Sequence, residues 1–176
     1  MATEIKSLYE GKFLRMVARG TWEYVTRANA TGVVIIVAMH EDGRVVLVEQ
    51  FRPAVDSNVI ELPAGLAGDL DENEPLVEAA KRELEEETGY TAKKWTEVDS
   101  ASVSAGLTDE YVTFFLAAGL EKVGDGGGVD GENITVHEIG MDELPCWITS
   151  KKEKGFETSA TLFAGLFLAS IRKGTH

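Results

Sequence analysis

One segment constrains the fold of this chain more than any other, because its glycines, its glutamates and one arginine stand at the fixed spacing of a single pattern. Residues 68–90 match the pattern G-x5-E-x7-R-E-(apolar)-x-E-E-x-G-(apolar), with Tyr90 in the last apolar place. The other fixed positions are Gly68, Glu74, Arg82, Glu83, Leu84, Glu86, Glu87 and Gly89. So many fixed positions rarely coincide by chance, and the segment therefore predicts one structural and chemical unit.

The second half of this segment predicts a helix over residues 75–88. Asn73 can cap the helix, Pro75 suits its first turn, and Gly89 suits its end. Apolar residues recur at helical spacing and are expected to face a core. These residues are Val77, Ala80 and Leu84.

Three glutamates on the predicted helix share one face, since Glu83 and Glu87 are four residues apart and Glu83 and Glu86 are three apart. Like charges at this spacing repel, so an isolated helix gains no stability from them. Carboxylate oxygens are the ligands that Mg²⁺ and Mn²⁺ prefer. The face therefore predicts a divalent-cation site, with Mg²⁺ as cofactor and Mn²⁺ as the alternative. A solvated helix face, with Arg82 paired to Glu78 or Glu86, is the other interpretation.

Length and composition indicate one domain, since 176 residues with 44% hydrophobic content can bury a sizeable core. No apolar run approaches the ~20 residues that span a bilayer. Residues 1–11 lack the apolar stretch of a secretory signal. The lone Cys146 excludes an internal disulfide. We expect a cytoplasmic protein without a membrane segment.

The net charge of −13 argues against nucleic acid as a partner, because no basic stripe is present to meet a phosphate backbone. The order of the predicted elements, strands then a helix then strands then helices, favours a mixed sheet between helices. Strands are expected at residues 13–19, 21–29, 32–40, 44–51, 59–62, 95–98, 111–117 and 134–139. A hairpin turn is expected at 41–43, a glycine-rich mobile loop at 123–131, and helices at 141–151 and 157–172. The last helix is expected to face inward with Leu162, Phe163, Leu166, Phe167 and Ile171.

The pattern at residues 68–90 resembles the Nudix box, the metal-binding signature of hydrolases that cleave a nucleoside diphosphate linked to another group. The resemblance implies an α/β fold, the Nudix α/β/α sandwich with a mixed β-sheet and a small N-terminal β unit. It also implies two parts, an N-terminal β unit at residues 1–30 and a hydrolase domain at 31–176. In the resembling proteins the N-terminal strands are exchanged in a homodimer with shared active sites.

Flanking residues resemble the ADP-ribose pyrophosphatase branch of that family. The matching runs are residues 21–23, 48–53, 61–65, 85–90 and 131–132. Ala105 stands where ADP-ribose enzymes usually carry a proline, which favours a broader specificity for nucleoside diphosphate sugars. The implied reaction is metal-dependent hydrolysis of ADP-ribose, GDP-mannose or similar compounds to a nucleoside monophosphate and a sugar phosphate. The alternatives are another pyrophosphate substrate, such as NADH, coenzyme A or a dinucleoside polyphosphate, and a nucleotide-sugar sensor without hydrolysis.

The resemblance also assigns candidate metal ligands, namely the main-chain carbonyl of Ala67 with Glu83, Glu86 and Glu87. A pyrophosphate is anionic and would be repelled by these glutamates, but a bound cation reverses the local sign. Substrate binding, and not only catalysis, is therefore expected to depend on the cation.

The remaining candidates are catalytic and substrate-binding residues. Glu132 matches a general base on a late loop, with Asp130 in reserve, and the catalytic set also includes Glu86 and Arg82. Trp22 matches an aromatic residue that stacks on the nucleobase; the alternative is a core or interface aromatic. Arg52 matches a phosphate-binding arginine; the alternative is an ion pair with Glu49 or Glu61. The substrate-binding set is Trp22, Arg52 and Glu61.

Overall fold

A computed structural model describes residues 4–69, 71–129 and 131–173 of the chain. The strands are β1 Ile5–Glu10, β2 Leu14–Arg19, β3 Trp22–Arg27, β4 Gly32–Met39, β5 Arg44–Arg52, β6 Ser57–Glu61, β7 Ala64–Ala67, β8 Tyr90–Ser102, β9 Tyr111–Lys122, β10 Thr135–Gly140 and β11 Glu157–Thr158. The helices are α1 Leu76–Thr88, α2 Leu144–Glu153 and α3 Ala160–Lys173.

The first three strands form a separate antiparallel sheet in the order β1-β2-β3. This sheet meets the rest of the chain where the Val25 N–H donates to the Leu107 carbonyl at 2.9 Å and where Arg27 pairs with Glu110. Its large apolar side chains are mostly exposed, and these are Ile5, Leu8, Tyr9, Phe13, Leu14, Met16 and Trp22. The division at residue 30 and the exchange between subunits stay predictions.

The second sheet is mixed, as expected, with strand order β11-β6-β5-β4-β9-β8. Its central strand β4 runs parallel to β9 and reads as a continuous apolar run. Such a run is typical of a strand that is buried on both faces. Alternate side chains of β4 enter different cores: Ile35 and Val37 lie in one, and Val34 and Ile36 in the other.

Helices cover both faces of this sheet. On one face α1 packs Ala79, Ala80 and Leu84 against the core that contains Val34 and Ile36. On the opposite face α2 and α3 pack against the core that contains Ile35 and Val37, through Leu144, Ile148, Leu162 and Ala169. The α/β/α sandwich with a mixed sheet is therefore confirmed.

The sheet divides beside its centre. Strand β4 pairs with β5 only at Met39 and Val45. The first half of β4 pairs instead with the short strand β7, with Gly32 opposite Ala67 and Ile35 opposite Ala64. The gap between β4 and β5 therefore holds β7, which comes directly before the segment that leads into α1.

Helix α1 matches the predicted range within one residue, but its cap differs. Pro75 occupies the cap position in an extended conformation and makes no side-chain cap hydrogen bond, so the predicted cap at Asn73 is wrong. Gly89 ends the helix in the left-handed region, with φ 69°, as predicted.

Helix α3 begins later than predicted and buries only part of the predicted face, since Leu162 and Leu166 lie against the core. Residues 157–158 form strand β11, which pairs in parallel with β6. Phe163, Phe167 and Ile171 are 47%, 63% and 53% exposed, so their predicted inward orientation is wrong. The small residue Gly165 decides the face, because a Cβ there would lie 2.6 Å from Leu62 Cδ1. Across the described residues, no helix is both long and apolar enough to cross a membrane.

Candidate active site

A pocket of about 340 Å³ lies where β5, β7 and α1 come together. Both acidic and basic side chains line it. Its charged and amide lining residues are Arg27, Gln50, Arg52, Asp69, Glu83, Glu87 and Glu132. The structure thus brings four of the candidate residues, Arg52, Glu83, Glu87 and Glu132, into one cavity.

Glu87 is the most buried charged side chain of the pocket, at 4% exposure. The N–H of Ala64 donates to its Oε2 at 3.1 Å. Burial raises the pKa of Glu87 to about 8, and the Ala64 hydrogen bond only partly opposes this effect. The neighbouring charges of Glu83 and Glu132 raise this pKa further.

Glu83 shares this environment. Burial raises its pKa to about 7, while the guanidinium of Arg82 acts in the opposite direction. Gly65 makes room for this carboxylate, because a Cβ at position 65 would overlap it. Two carboxylates one helical turn apart, whose pKa values burial raises even though Arg82 bonds to Glu83, fit a divalent cation.

The two carboxylates do not by themselves enclose an ion. Within the part of the chain that the structure describes, no cluster of three His, Cys, Asp or Glu side chains is already arranged to hold one.

Arg82 acts as the hub of the carboxylate cluster and does not line the pocket. Its Nη1 donates to Glu83 at 2.9 Å and to Glu86 at 3.2 Å. Its Nε and Nη2 donate to Glu74 at 3.1 and 3.2 Å, and Nη2 also donates to the Leu66 carbonyl at 2.9 Å. The hydrogen bond to Glu74 is the main reason that the pKa of Arg82 is raised. Arg82 therefore positions the glutamates, and Glu74 ties it to the segment before α1.

Ala67 does not line the pocket, and its assignment as a metal ligand stays a prediction. That carbonyl accepts hydrogen bonds from the N–H and the Oγ1 of Thr31, at 2.8 and 3.1 Å. Both lone-pair directions of the oxygen are therefore used within the fold. The main-chain groups of β7 that face α1 are those of Ala64, which contacts Glu87, and Leu66, which contacts Arg82.

Arg52 and Glu61 form an ion pair in which Arg52 Nε donates to Glu61 Oε2 at 2.6 Å. Arg52 nevertheless lines the pocket and is 44% exposed in its side chain, so part of its guanidinium can reach a ligand. Glu61 orients Arg52 and does not line the pocket. Glu49, the other suggested partner, pairs with Lys151 and His137 instead.

Glu132 directly follows the glycine-rich loop and lines the pocket. Its Oε2 accepts a hydrogen bond from the Val129 N–H at 3.2 Å. The reserve candidate Asp130 lies outside the described residues.

Trp22 is 59% exposed and so is not a core residue. It lines a second cleft of about 330 Å³, together with Arg19, Tyr24, Ser102, Ala105, Thr108, Asp109 and Tyr111. The position that departs from the family pattern, Ala105, thus lies in the same cleft as Trp22.

Arg27 links the two cavities, and sequence reasoning missed it. A third cavity of about 290 Å³ shares Asp109 and Tyr111 with the cleft of Trp22, and Arg27 and Val33 with the carboxylate pocket. The three cavities are therefore neighbours that share lining residues; together they are called the groove, and Arg27 lines two of them. No local signal marks Arg27, since its partner Glu110 lies 83 residues away in sequence.

Comparisons with known proteins identify several relatives of this chain. An ADP-ribose pyrophosphatase of Bacillus subtilis is 37% identical to this chain over 122 residues, which make up 69% of this chain and 64% of that protein. A methanol dehydrogenase activator of Bacillus methanolicus is 34% identical over 138 residues, or 78% of this chain and 71% of that protein. A GDP-mannose pyrophosphatase of Cronobacter sakazakii is 34% identical over 135 residues, 72% of this chain and 68% of that protein.

A solved structure described as an ADP compounds hydrolase superposes with a TM-score of 0.75, covering 99% of this chain and 94% of the other at 20% identity. That likeness shows a common fold. The family model described as the NUDIX domain matches residues 28–158, which include α1, β7 and the glycine-rich loop. The chain is therefore a member of the Nudix hydrolase family.

Proposed function

We propose that this protein hydrolyses the pyrophosphate bond of nucleoside diphosphate sugars, with ADP-ribose and GDP-mannose as the leading substrates. The observation that carries the proposal is the pocket in which Glu83 and Glu87 of α1 face Glu132 and Arg52. Relatives named for ADP-ribose and GDP-mannose pyrophosphatase activity support the choice of substrate class.

The metal cofactor in this proposal is Mg²⁺, with Mn²⁺ as an alternative. Glu83 and Glu87 would hold it, with Glu86 close by on the same helix. When bound, such a cation supplies positive charge to the pyrophosphate oxygens and lowers the pKa of a coordinated water. Arg82 keeps the glutamates in place through its hydrogen bonds.

The side chains of the pocket divide the remaining work. Arg52 and Arg27 neutralise phosphate charge, and Glu61 and Glu110 orient these two arginines. Glu132 takes a proton from the attacking water as general base. The water oxygen bonds to one phosphorus while the bridging P–O bond breaks, which releases a nucleoside monophosphate and a sugar phosphate. Trp22 stacks on the nucleobase at the far end of the groove.

Hydrolysis of ADP-ribose, GDP-mannose, ADP-glucose and UDP-glucose with Mg²⁺, with products separated by chromatography, tests the proposal. We expect a monophosphate and a sugar phosphate from at least one of these compounds, and no product with EDTA. Binding of all four without hydrolysis would contradict the proposal and favour a sensor. No binding and no hydrolysis would favour another pyrophosphate substrate, such as NADH or coenzyme A.

Glu132→Gln tests the general base, because the amide cannot accept the proton of the water. We expect kcat to fall by ~10²–10⁴-fold with little change in KM. A kcat near that of the parent enzyme would place the base elsewhere.

The same proposal includes a homodimer in which the N-terminal sheets are exchanged. The exposed apolar side chains of β1 and β2 support it, since an isolated chain gains nothing from them. Charge also supports it: residues 4–27 carry five basic and three acidic side chains, against 17 and 30 in the whole chain. A basic sheet would thus meet an acidic partner. Light scattering should give twice 19.1 kDa, and a stable, active monomer would contradict the dimer.

A further inference from the structure

The glycine-rich loop is fastened to the helix that carries the metal-site glutamates. The Gly127 N–H donates to the Glu87 carbonyl at 2.8 Å, and the Gly128 N–H donates to the Glu86 carbonyl at 3.0 Å. These carbonyls belong to the last turn of α1 and have no partner within the helix. The N–H groups of Val123 and Gly124 also donate to the Gly89 carbonyl, and the side-chain Nζ of Lys122 donates to the Thr88 carbonyl.

The two backbones approach too closely for side chains at the contact. A Cβ on Gly126 would lie 2.6 Å from the Gly89 nitrogen and would also overlap the main chain of Thr88. Gly126 has φ 71°, in the left-handed region where glycine is favoured. The first part of the loop therefore lies against α1 by main-chain contact.

The carboxylate of Glu132 rests on the same segment. A Cβ on Gly128 would lie 2.6 Å from Glu132 Oε2 and 2.8 Å from Glu132 Cβ. The Ile134 N–H donates to the Gly127 carbonyl at 3.0 Å, which closes the loop on its other side. Glu132 is thereby held between Gly128 and the pocket that it shares with Glu87.

We propose that Gly126 and Gly128 are positioning residues that set the place of Glu132 relative to the glutamates of α1. Gly126 fixes the distance of the loop from the helix, and Gly128 provides the space in which the Glu132 side chain lies. This inference rests on the proposed function, in which Glu132 takes the proton of the attacking water. A small displacement of such a group is costly, since about 1 Å can reduce a rate by ~10²-fold.

Three alanine variants separate this role from simple backbone strain. Gly126, Gly127 and Gly128 all have positive φ, at 71°, 105° and 82°, so alanine is strained at each. Of these three positions, only Gly127 can take a Cβ without overlap, since its nearest neighbour, Ile134 O, lies at an ordinary contact distance of 3.9 Å. Gly127→Ala is therefore the matched control.

We expect Gly126→Ala and Gly128→Ala to lower kcat by ~10–10²-fold with KM within about threefold, and Gly127→Ala to keep most of its kcat. Tm, measured for all three, should fall in each variant, and most in Gly126→Ala, where the new Cβ overlaps main-chain atoms. An equal loss of kcat in all three variants would assign the effect to strain and overturn the proposal. A kcat of Gly128→Ala within threefold of the parent would also overturn it, since that Cβ meets side-chain atoms and leaves the helix contact intact.

The Glu132→Gln background separates this proposal from the proposed function. If Gly128 acts through Glu132, Gly128→Ala should cause no further loss of kcat in the Glu132→Gln enzyme. An additive loss would overturn the positioning role. A Glu132→Gln enzyme with unchanged kcat would instead refute the general base, whatever the glycine variants do.

Discussion

Gly65 lies directly against the carboxylate of Glu83, so that a Cβ at position 65 would overlap the Glu83 side chain. Gly65 belongs to β7, the strand that fills the gap between β4 and β5. Glu83, a candidate metal ligand on α1, can therefore take its observed conformation only because position 65 has no side chain.

Gly65→Ala should displace the Glu83 carboxylate without unfolding the protein, because the atoms that must move are the end of a flexible side chain. We expect the affinity for Mg²⁺ or Mn²⁺ to fall by ~10–100-fold, with Tm almost unchanged. Isothermal titration with Mn²⁺ measures the affinity. Gly106→Ala is the control, because no atom lies within 4 Å of its added Cβ. Equal affinities in the two variants would show that Glu83 does not bind the metal.

The raised pKa of Glu87 predicts how stability without metal depends on pH. The folded protein releases this proton at about pH 8, whereas the ordinary value is 4.5. Between these values the folded state binds more protons than the unfolded state, so stability falls as pH rises from about 4.5 to about 8. Tm measured in EDTA should show this fall in the parent, and Glu87→Gln should reduce it. Parallel Tm curves for the two proteins would contradict the assigned shift.

Mg²⁺ should reverse this trend, because a cation binds the deprotonated carboxylates and compensates their charge. The rise in Tm on adding Mg²⁺ should therefore grow between pH 5 and 8. The same rise should be small in Glu87→Gln at every pH.

Trp22→Ala should chiefly raise KM, by ~10-fold, because base stacking contributes equally to the bound substrate and the transition state. Steady-state kinetics with the preferred nucleotide sugar measures this change in KM. Phe167→Ala removes another exposed aromatic ring, on α3, and should leave KM unchanged. If both variants behave alike, Trp22 does not contact the base.

Arg82→Lys should weaken metal binding although the charge is kept. A lysine cannot reproduce the planar fork that joins Glu83, Glu86 and Glu74. We expect a loss of ~10–100-fold in Mn²⁺ affinity. Lys81→Met removes the neighbouring cation, which pairs with Glu78 on the exposed side of α1, and should have little effect. Parent-like affinity in Arg82→Lys would remove Arg82 from its positioning role.

The parts of the fold that were predictable from sequence depend on local patterns. Helix α1 follows from apolar spacing and from Gly89, which takes the left-handed conformation that ends it. Strand β4 follows from its apolar run. Strand β7 was missed, because four residues with a glycine carry no strand pattern and pair only through tertiary contact with β4.

In the candidate site, too, the features that depend on local sequence patterns were predictable and those that depend on tertiary contacts were not. The spacing of Glu83 and Glu87 on one helix was readable, whereas the use of the Ala67 carbonyl by Thr31 and the pairing of Arg27 with Glu110 depend on distant segments. The α3 prediction failed for a related reason. The spacing of the phenylalanines on α3 indicated that they face the core. The helix instead packs through the face that contains Gly165, because the missing side chain there allows a close approach.

The contact between the glycine-rich loop and α1 has a consequence for divergence within the family. Atoms common to all amino acids make this contact, so replacing the exposed neighbours Asp125 or Val129 leaves it intact. A gain of volume at Gly89 or Gly126 disturbs it, because a Cβ at either position would overlap main-chain atoms across the contact. Loops of quite different sequence can therefore follow this same path, provided that these few positions stay free of side chains.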